Sequence, residues 1–324
     1  MLRKIILFFI MLISFSCGKT DSEKTEAAII SANIYLSKGN CQAAIDVMEA
    51  NGRKTNNAHY IKVLSSAYAC RSGYSVITFF ASDLALTSTP TPFGGTTLYS
   101  TSLVTTSSPL QNNQSFDDSQ TAISLLLYAG GIPSTVEPTS AERLKYFSSD
   151  EAADINSQLL FMMFAQLGKY MHVYGNGDAV GLKGGGNGLN LCFTDYDIAA
   201  ISGSVLVKAA ITTLKVTCNT AAKATHPELA SSIVAATRKT RLCQGVVLLN
   251  GIFNILPSVV GQLSTQGAAI TAAAGVATLA LQTADPSIGI VATTMNQAIC
   301  EDNSNVPVDK LESYFAIMFE NIFL

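Results

Sequence analysis

The sequence predicts an all-α fold, on the basis of two helical patterns and one long uncharged segment. Apolar residues recur at intervals of three and four between Thr25 and Ala85, and again between Leu311 and Phe323, which is the period of amphipathic helices. Residues 242–284 carry no charged side chain, as expected of helices at the centre of a core. Further candidate helices cover residues 118–129, 140–174, 195–217 and 228–255. We therefore expect helical hairpins followed by an irregular helical bundle with a central apolar hairpin.

The first residues have the form of an export signal. Arg3 and Lys4 precede an apolar run over residues 5–15, and the small residue Ser16 precedes Cys17. The run is shorter than the roughly 20 apolar residues that a spanning helix needs. We therefore expect residues 1–16 to be a signal peptide, with Cys17 as the first residue after cleavage.

Cys17 resembles the acceptor cysteine of the bacterial lipobox, in which Leu and two small residues usually precede the cysteine. Ser14 and Phe15 stand here where Leu and a small residue are usual. The resemblance implies that Cys17 is lipidated and that residues 17–26 are a solvated tether. Gly18 after the cysteine implies the outer membrane, on its periplasmic face. The alternative is ordinary signal-peptidase cleavage, which would release a soluble protein.

Residues 27–86 contain two similar stretches, 35–41 and 69–75, in which a helix end, a glycine and a new helix start follow in the same order. The two glycines, Gly39 and Gly73, are 34 residues apart. This spacing resembles tetratricopeptide repeats, which are helix-turn-helix units of that length. The resemblance implies a concave surface that binds another protein. A plain helical bundle is the alternative.

Residues 87–120 are rich in Ser, Thr, Pro, Gly and Asn, a composition typical of a loop or linker. The α-helical bundle is expected over residues 121–324, with a break near Ser149, where a Ser-Ser-Asp-Glu sequence offers a new N-cap. In the uncharged segment, Pro257 and Gly267 are expected to divide two helices. The main interpretation is a hairpin in the core, and the alternatives are a membrane-inserting hairpin or a site for an apolar ligand.

Six cysteines besides Cys17 are an even number for an exported protein, which indicates three disulfides. They are Cys41, Cys70, Cys192, Cys218, Cys243 and Cys300. We expect Cys41 to pair with Cys70, because one helix end can face the start of the preceding helix. Cys218 and Cys243 flank a polar turn and are expected to pair, which leaves Cys192 with Cys300.

The glycine-rich segment 175–188 lacks the Gly-Lys-Ser/Thr of a Walker loop. Residues 185–191 resemble one copy of the glycine-rich repeat of calcium-binding β-rolls. The resemblance makes Asp178, Asn187 and Asn190 weak calcium candidates, with Asp195 and Asp197 nearby. A polar loop next to Cys192 is the favoured interpretation, so no metal is expected.

No catalytic pattern is present in the sequence. The three histidines, His59, His172 and His226, are not spaced for a helical metal site, and no Gly-x-Ser-x-Gly elbow occurs. The net charge of −3 lacks the basic excess of nucleic-acid-binding proteins. We therefore expect no enzyme, no cofactor and no nucleic-acid partner, but a lipid-anchored protein-binding or scaffolding module with an unknown protein partner. A hydrolase would be indicated only by clustering of His172 or His226 with an acid and a hydroxyl.

Overall fold

The computed structural model describes residues 20–78, 114–175, 192–196, 224–259, 275, 279, 281–283, 286–302, 304 and 306–322. Within these ranges the fold is helical and contains no β-strand, which confirms the predicted all-α class. The principal helices are α1 (Asp21–Ser37), α2 (Cys41–Ala50), α3 (Ala58–Arg71), α4 (Gln114–Leu127), α5 (Ser149–Tyr174), α6 (Ala235–Val259), α7 (Gln297–Glu301), α8 (Val308–Ile317) and α9 (Phe319–Ile322). Shorter helical turns cover Val76–Thr78, Ser140–Arg143, Pro227–Leu229 and Gly289–Ala292.

Helix α1 begins earlier than expected. The Thr20 hydroxyl accepts a hydrogen bond from the backbone N–H of Glu23, and the Glu23 carboxylate accepts one from the Thr20 N–H at 2.7 Å. This reciprocal capping box satisfies two N–H groups that a helix start otherwise leaves unpaired. The expected tether over residues 17–26 is therefore wrong from Asp21 onwards, because those residues are helical.

Helices α1, α2 and α3 pack against one another as consecutive hairpins. Gly39 and Gly73 follow α1 and α3 with φ of 69° and 85°, a left-handed conformation that favours glycine. The disulfide between Cys41 and Cys70 confirms the predicted pair and joins the start of α2 to the end of α3, with the Cα atoms 5.5 Å apart. The resemblance to tetratricopeptide repeats stays a prediction.

The N-terminal helices and the later bundle share one core. Helix α4 begins at Gln114, inside the expected linker 87–120, because Phe116 is buried and Asp118 forms an ion pair with Arg71 of α3. Ser65 in the middle of α3 donates to the Ala122 carbonyl of α4 at 2.9 Å. Buried side chains of both regions belong to a single hydrophobic cluster. Residues 114–120 of the expected linker are therefore helical.

Lys169 of α5 lies buried where α3, α4 and α5 meet. Its ammonium donates to the Ser72 carbonyl at 3.2 Å, and to the hydroxyls of Ser115 and Ser119 at 3.0 and 3.1 Å. Ser72 is the C-cap of α3, so the positive charge lies at the negative end of that helix. Burial lowers the pKa of Lys169 to about 8, although the Asp118 carboxylate opposes the shift.

We predict that the free energy of unfolding rises between pH 8 and pH 10 because of Lys169. The unfolded chain retains the lysine proton up to about pH 10.5, so it binds more protons than the folded protein in this window, and stability increases with pH. Relative to the Lys169→Met variant, the wild type should gain roughly 2 kcal/mol across the window. Urea denaturation at each pH measures both proteins. Parallel curves would show that Lys169 is not the cause.

The predicted break in the helix at residues 140–174 is confirmed. The Ser148 hydroxyl accepts from the Glu151 N–H, and the Glu151 carboxylate accepts from the Ser148 N–H, which starts α5 afresh after the short turn Ser140–Arg143. Helix α6 was expected from residue 228, but it begins at Ala235, because Pro227 and Glu228 lie in a separate helical turn.

Helix α6 is the central apolar helix. It continues through Pro257 to Val259, and the expectation that Pro257 ends it is wrong, because a proline in the last turn removes only one helical hydrogen bond. Within the described ranges it is the one helix long and apolar enough to cross a membrane, but 72% of its most apolar window is buried in the protein. The Asn250 amide donates to the carbonyls of Val291 and Thr294, both at 2.9 Å. These contacts favour the core interpretation. Most of the expected second arm, 268–281, lies outside the described residues.

Cys243 of α6 is bonded to Cys300 of α7, with the Cα atoms 5.7 Å apart. The expected pairs Cys218–Cys243 and Cys192–Cys300 are therefore wrong. Cys300 reaches Cys243 because α7 packs directly on α6. Cys192 is also disulfide-bonded, and Cys218 lies outside the described residues.

The apolar stripe that the sequence shows between Leu311 and Phe323 docks on the core through its described residues. The side chains of Leu311, Tyr314, Phe315 and Phe319 are fully buried, and the rings of Phe315 and Phe319 stack with centroids 4.3 Å apart. The stripe is divided between α8 and α9, with the break at Met318.

Candidate partner-binding groove

A groove runs between α3 and α5 and is open to solvent, with a volume of about 390 Å³. Its lining comes from α3, from the residues after α3, and from α5: Lys62, Ser66, Ala69, Tyr74, Val76, Asp154, Gln158, Phe161 and Met162. Ala69 and Met162 are buried and form the floor. The groove thus lies beside the N-terminal helices, but one of its walls belongs to the later bundle.

Polar contacts fix the width of the groove. The Gln158 side-chain amide donates to the Lys62 carbonyl at 3.1 Å and to the Ser66 hydroxyl at 3.0 Å, so it joins α5 to α3. Near one end, Lys62 forms an ion pair with Asp154 at 2.8 Å, in which both side chains are partly exposed. An exposed pair of this kind contributes little to stability and can rearrange around a ligand.

Apolar side chains lie at the other end of the groove. Val76 lines it and is 54% exposed, and the adjacent Ile77 is 81% exposed. Tyr74 is partly buried against the core beside them. Adjacent exposed apolar side chains at a concave site are typical of protein contact surfaces. The groove therefore combines an apolar end with a charged end.

The histidines do not form a catalytic arrangement among the described residues. His226 lies edge-on against Tyr174, with ring centroids 5.2 Å apart, and Glu228 accepts hydrogen bonds from Arg241 at 2.7 Å and from the Tyr174 hydroxyl at 3.3 Å. The His226 Nδ1, however, accepts the backbone N–H of Glu228. In this tautomer Nε2 carries the proton, so the ring is not oriented as a general base by a carboxylate, as a catalytic triad requires.

The protonation states of Tyr174 and His226 also indicate a structural role for this cluster. Burial raises the pKa of Tyr174 well above its ordinary value, so its hydroxyl stays protonated. Burial lowers the pKa of His226, so the ring stays neutral near neutral pH. His59 is exposed on α3, and His172 on α5 is half-buried. No contact among the described residues joins His59 or His172 to this cluster.

The weak calcium candidates, Asp178, Asn187 and Asn190, lie outside the described residues, as do Asp197 and Cys17. Asp195 is described, and its carboxylate accepts from the N–H groups of Ala224 at 2.6 Å and Ser231 at 2.8 Å. Asp195 therefore links residues 192–196 to the segment that contains Ala224 and Ser231. Within the described ranges, no three His, Cys, Asp or Glu side chains cluster as metal ligands do.

No protein-family model, curated protein or solved structure matches this chain. The sequence predicted a binding surface in this region but missed the groove, because its two walls lie far apart in the chain: α3 ends at Arg71 and α5 begins at Ser149. The one local signal was the pair of polar residues Ser65 and Ser66 in the middle of α3, which contact α4 and α5.

Proposed function

We propose that the protein is a lipid-anchored bacterial lipoprotein that binds a protein partner through the groove between α3 and α5. The observation that carries this proposal is the open groove with Val76 exposed in its lining and Ile77 exposed next to Val76 in the chain. The anchor is supported by the signal-like residues 1–16 and by Cys17 directly after them. The proposed location is the periplasmic face of the outer membrane.

A protein side chain suits the groove better than a free apolar ligand. Small-molecule sites usually enclose most of the ligand surface. This groove is open, and the polar or charged side chains of Lys62, Asp154 and Gln158 line it. A large apolar anchor residue can occupy the end near Ile77 while polar groups of the same partner contact Lys62 and Asp154 at the other end. Such a buried anchor with a polar rim is the usual anatomy of a protein interface.

Site-specific photocrosslinking tests this proposal in intact cells. A photoreactive phenylalanine analogue is placed at Val76, which lines the groove and is 54% exposed, and in a matched variant at Val234, which is 69% exposed but does not line the groove. We expect a discrete protein adduct from position 76 and none of that size from position 234. Absence of an adduct at position 76, or the same adduct from both positions, would contradict the groove as the binding site.

A further inference from the structure

The chain leaves very little length between the proposed anchor and the folded domain. Because α1 begins at Asp21, only residues 18–20 separate it from Cys17. A fully extended segment of this length spans roughly 11 Å. If Cys17 is acylated, as proposed above, the first turn of α1 lies next to the bilayer surface. This inference rests on that proposed function.

Two other segments lie beside the first turn of α1. Lys54 forms an ion pair with Asp21 at 3.0 Å, and the Asn51 amide donates to the Thr25 hydroxyl at 3.1 Å, so the loop between α2 and α3 lies against this turn. The N–H of Gly130 donates to the Thr55 carbonyl at 2.8 Å, which brings the turn after α4 to the same place. We call this surface, formed by residues 20–24, 51–56 and 128–131, the proximal end.

The proximal end has the composition of a headgroup-contacting surface. Lys24, Gly52, Arg53, Thr55 and Asn56 are exposed, and they are polar, charged or glycine. Both signs of charge are present there: Lys54 pairs with Asp21, and Arg53 pairs with Glu49 in the adjoining last turn of α2. A surface with both signs of charge matches the phosphate and ammonium groups of zwitterionic phospholipids.

We propose that the proximal end lies against zwitterionic lipid headgroups, so that the groove opens away from the membrane. Helix α3 runs from Ala58 at the proximal end to Arg71, a length of roughly 21 Å, and Val76 and Ile77 follow it. The apolar end of the groove thus faces the periplasm rather than the lipid. A partner bound there meets no obstruction from the bilayer.

The chain contains no tryptophan, so all tryptophan fluorescence of a variant with one introduced tryptophan comes from that position. The Arg53→Trp variant carries the probe at the proximal end, and the Lys38→Trp variant carries it at the exposed far end of the 17-residue α1, roughly 25 Å away. The full-length lipoproteins are reconstituted into phosphatidylcholine vesicles that contain a lipid with a nitroxide on its headgroup. We expect the Arg53→Trp emission to fall by at least half and the Lys38→Trp emission to be almost unchanged.

The two proposals fail in different ways. If the protein floats with the vesicles but both variants are quenched equally, or Lys38→Trp is quenched more, the orientation is overturned and the anchor stands. If the protein does not float with the vesicles, the anchor is overturned, and the orientation with it. Because both variants carry the same probe, the preference of tryptophan for interfaces acts on both and cannot by itself produce the difference.

Discussion

Replacing Gly245 with leucine is expected to lower the free energy of unfolding by about 3 kcal/mol. A Cβ atom at this position of α6 would lie 2.9 Å from the ring of Phe315 in α8 and 2.9 Å from the ring and hydroxyl of Tyr170 in α5. Three helices therefore meet where only a hydrogen atom fits. The Tyr170 hydroxyl donates to the Arg241 carbonyl at 2.8 Å, and a larger residue at position 245 would break that bond as well.

Gly275 provides the matched control for this prediction. A Cβ atom at this exposed helical position meets nothing within 4 Å. Alanine also has a higher helix propensity than glycine, so Gly275→Ala should be neutral or stabilise the protein by up to about 1 kcal/mol. Chemical denaturation followed by circular dichroism measures both variants. Equal stability of Gly245→Leu and wild type would show that the three helices do not meet at Gly245.

Replacing Arg238 with methionine is expected to cost about 3 to 5 kcal/mol. The guanidinium is buried and forms an ion pair with the equally buried Glu312 at 2.7 Å. It also donates to the Thr194 hydroxyl at 2.6 Å and to the Asp195 carbonyl at 2.7 Å, so it joins α6, α8 and residues 192–196. Without it, the buried Glu312 carboxylate loses this ion pair.

Lys145, an exposed lysine that pairs with Glu142, is the control for Arg238. Lys145 is 65% exposed, so Lys145→Met should change the free energy of unfolding by less than about 1 kcal/mol. Adding Glu312→Leu to Arg238→Met should recover part of the lost stability, because the buried carboxylate that Arg238 neutralised is then removed. A loss for Arg238→Met as small as that for Lys145→Met would mean that Glu312 does not depend on this partner.

Local sequence signals predicted the elements that depend on neighbouring residues. The apolar stripe of α8 and α9, the new start of α5 after Ser148, and the disulfide Cys41–Cys70 between consecutive hairpins all follow from spacing within one or two helices. The early start of α1 could also have been predicted, since Thr20 and Glu23 have the spacing of a capping box.

Features that depend on distant packing were not predictable in this way. The disulfide Cys243–Cys300 requires α7 to lie on α6, and no local pattern indicates which helix packs there. Lys169 is buried although lysine usually marks a solvent face, because carbonyl and hydroxyl groups of α3 and α4 surround its ammonium. The groove likewise depends on Gln158 reaching α3 from another part of the chain.

The chemical state of residue 17 tests the central claim most directly. The full-length protein is expressed in a Gram-negative bacterium, and its N-terminal peptide is analysed by mass spectrometry beside the Cys17→Ala variant. We expect the mature chain to begin at an acylated Cys17 and to fractionate with membranes, whereas Cys17→Ala should lose the acyl groups and leave the membrane fraction. An unmodified Cys17 on a chain found in the soluble fraction would contradict the account.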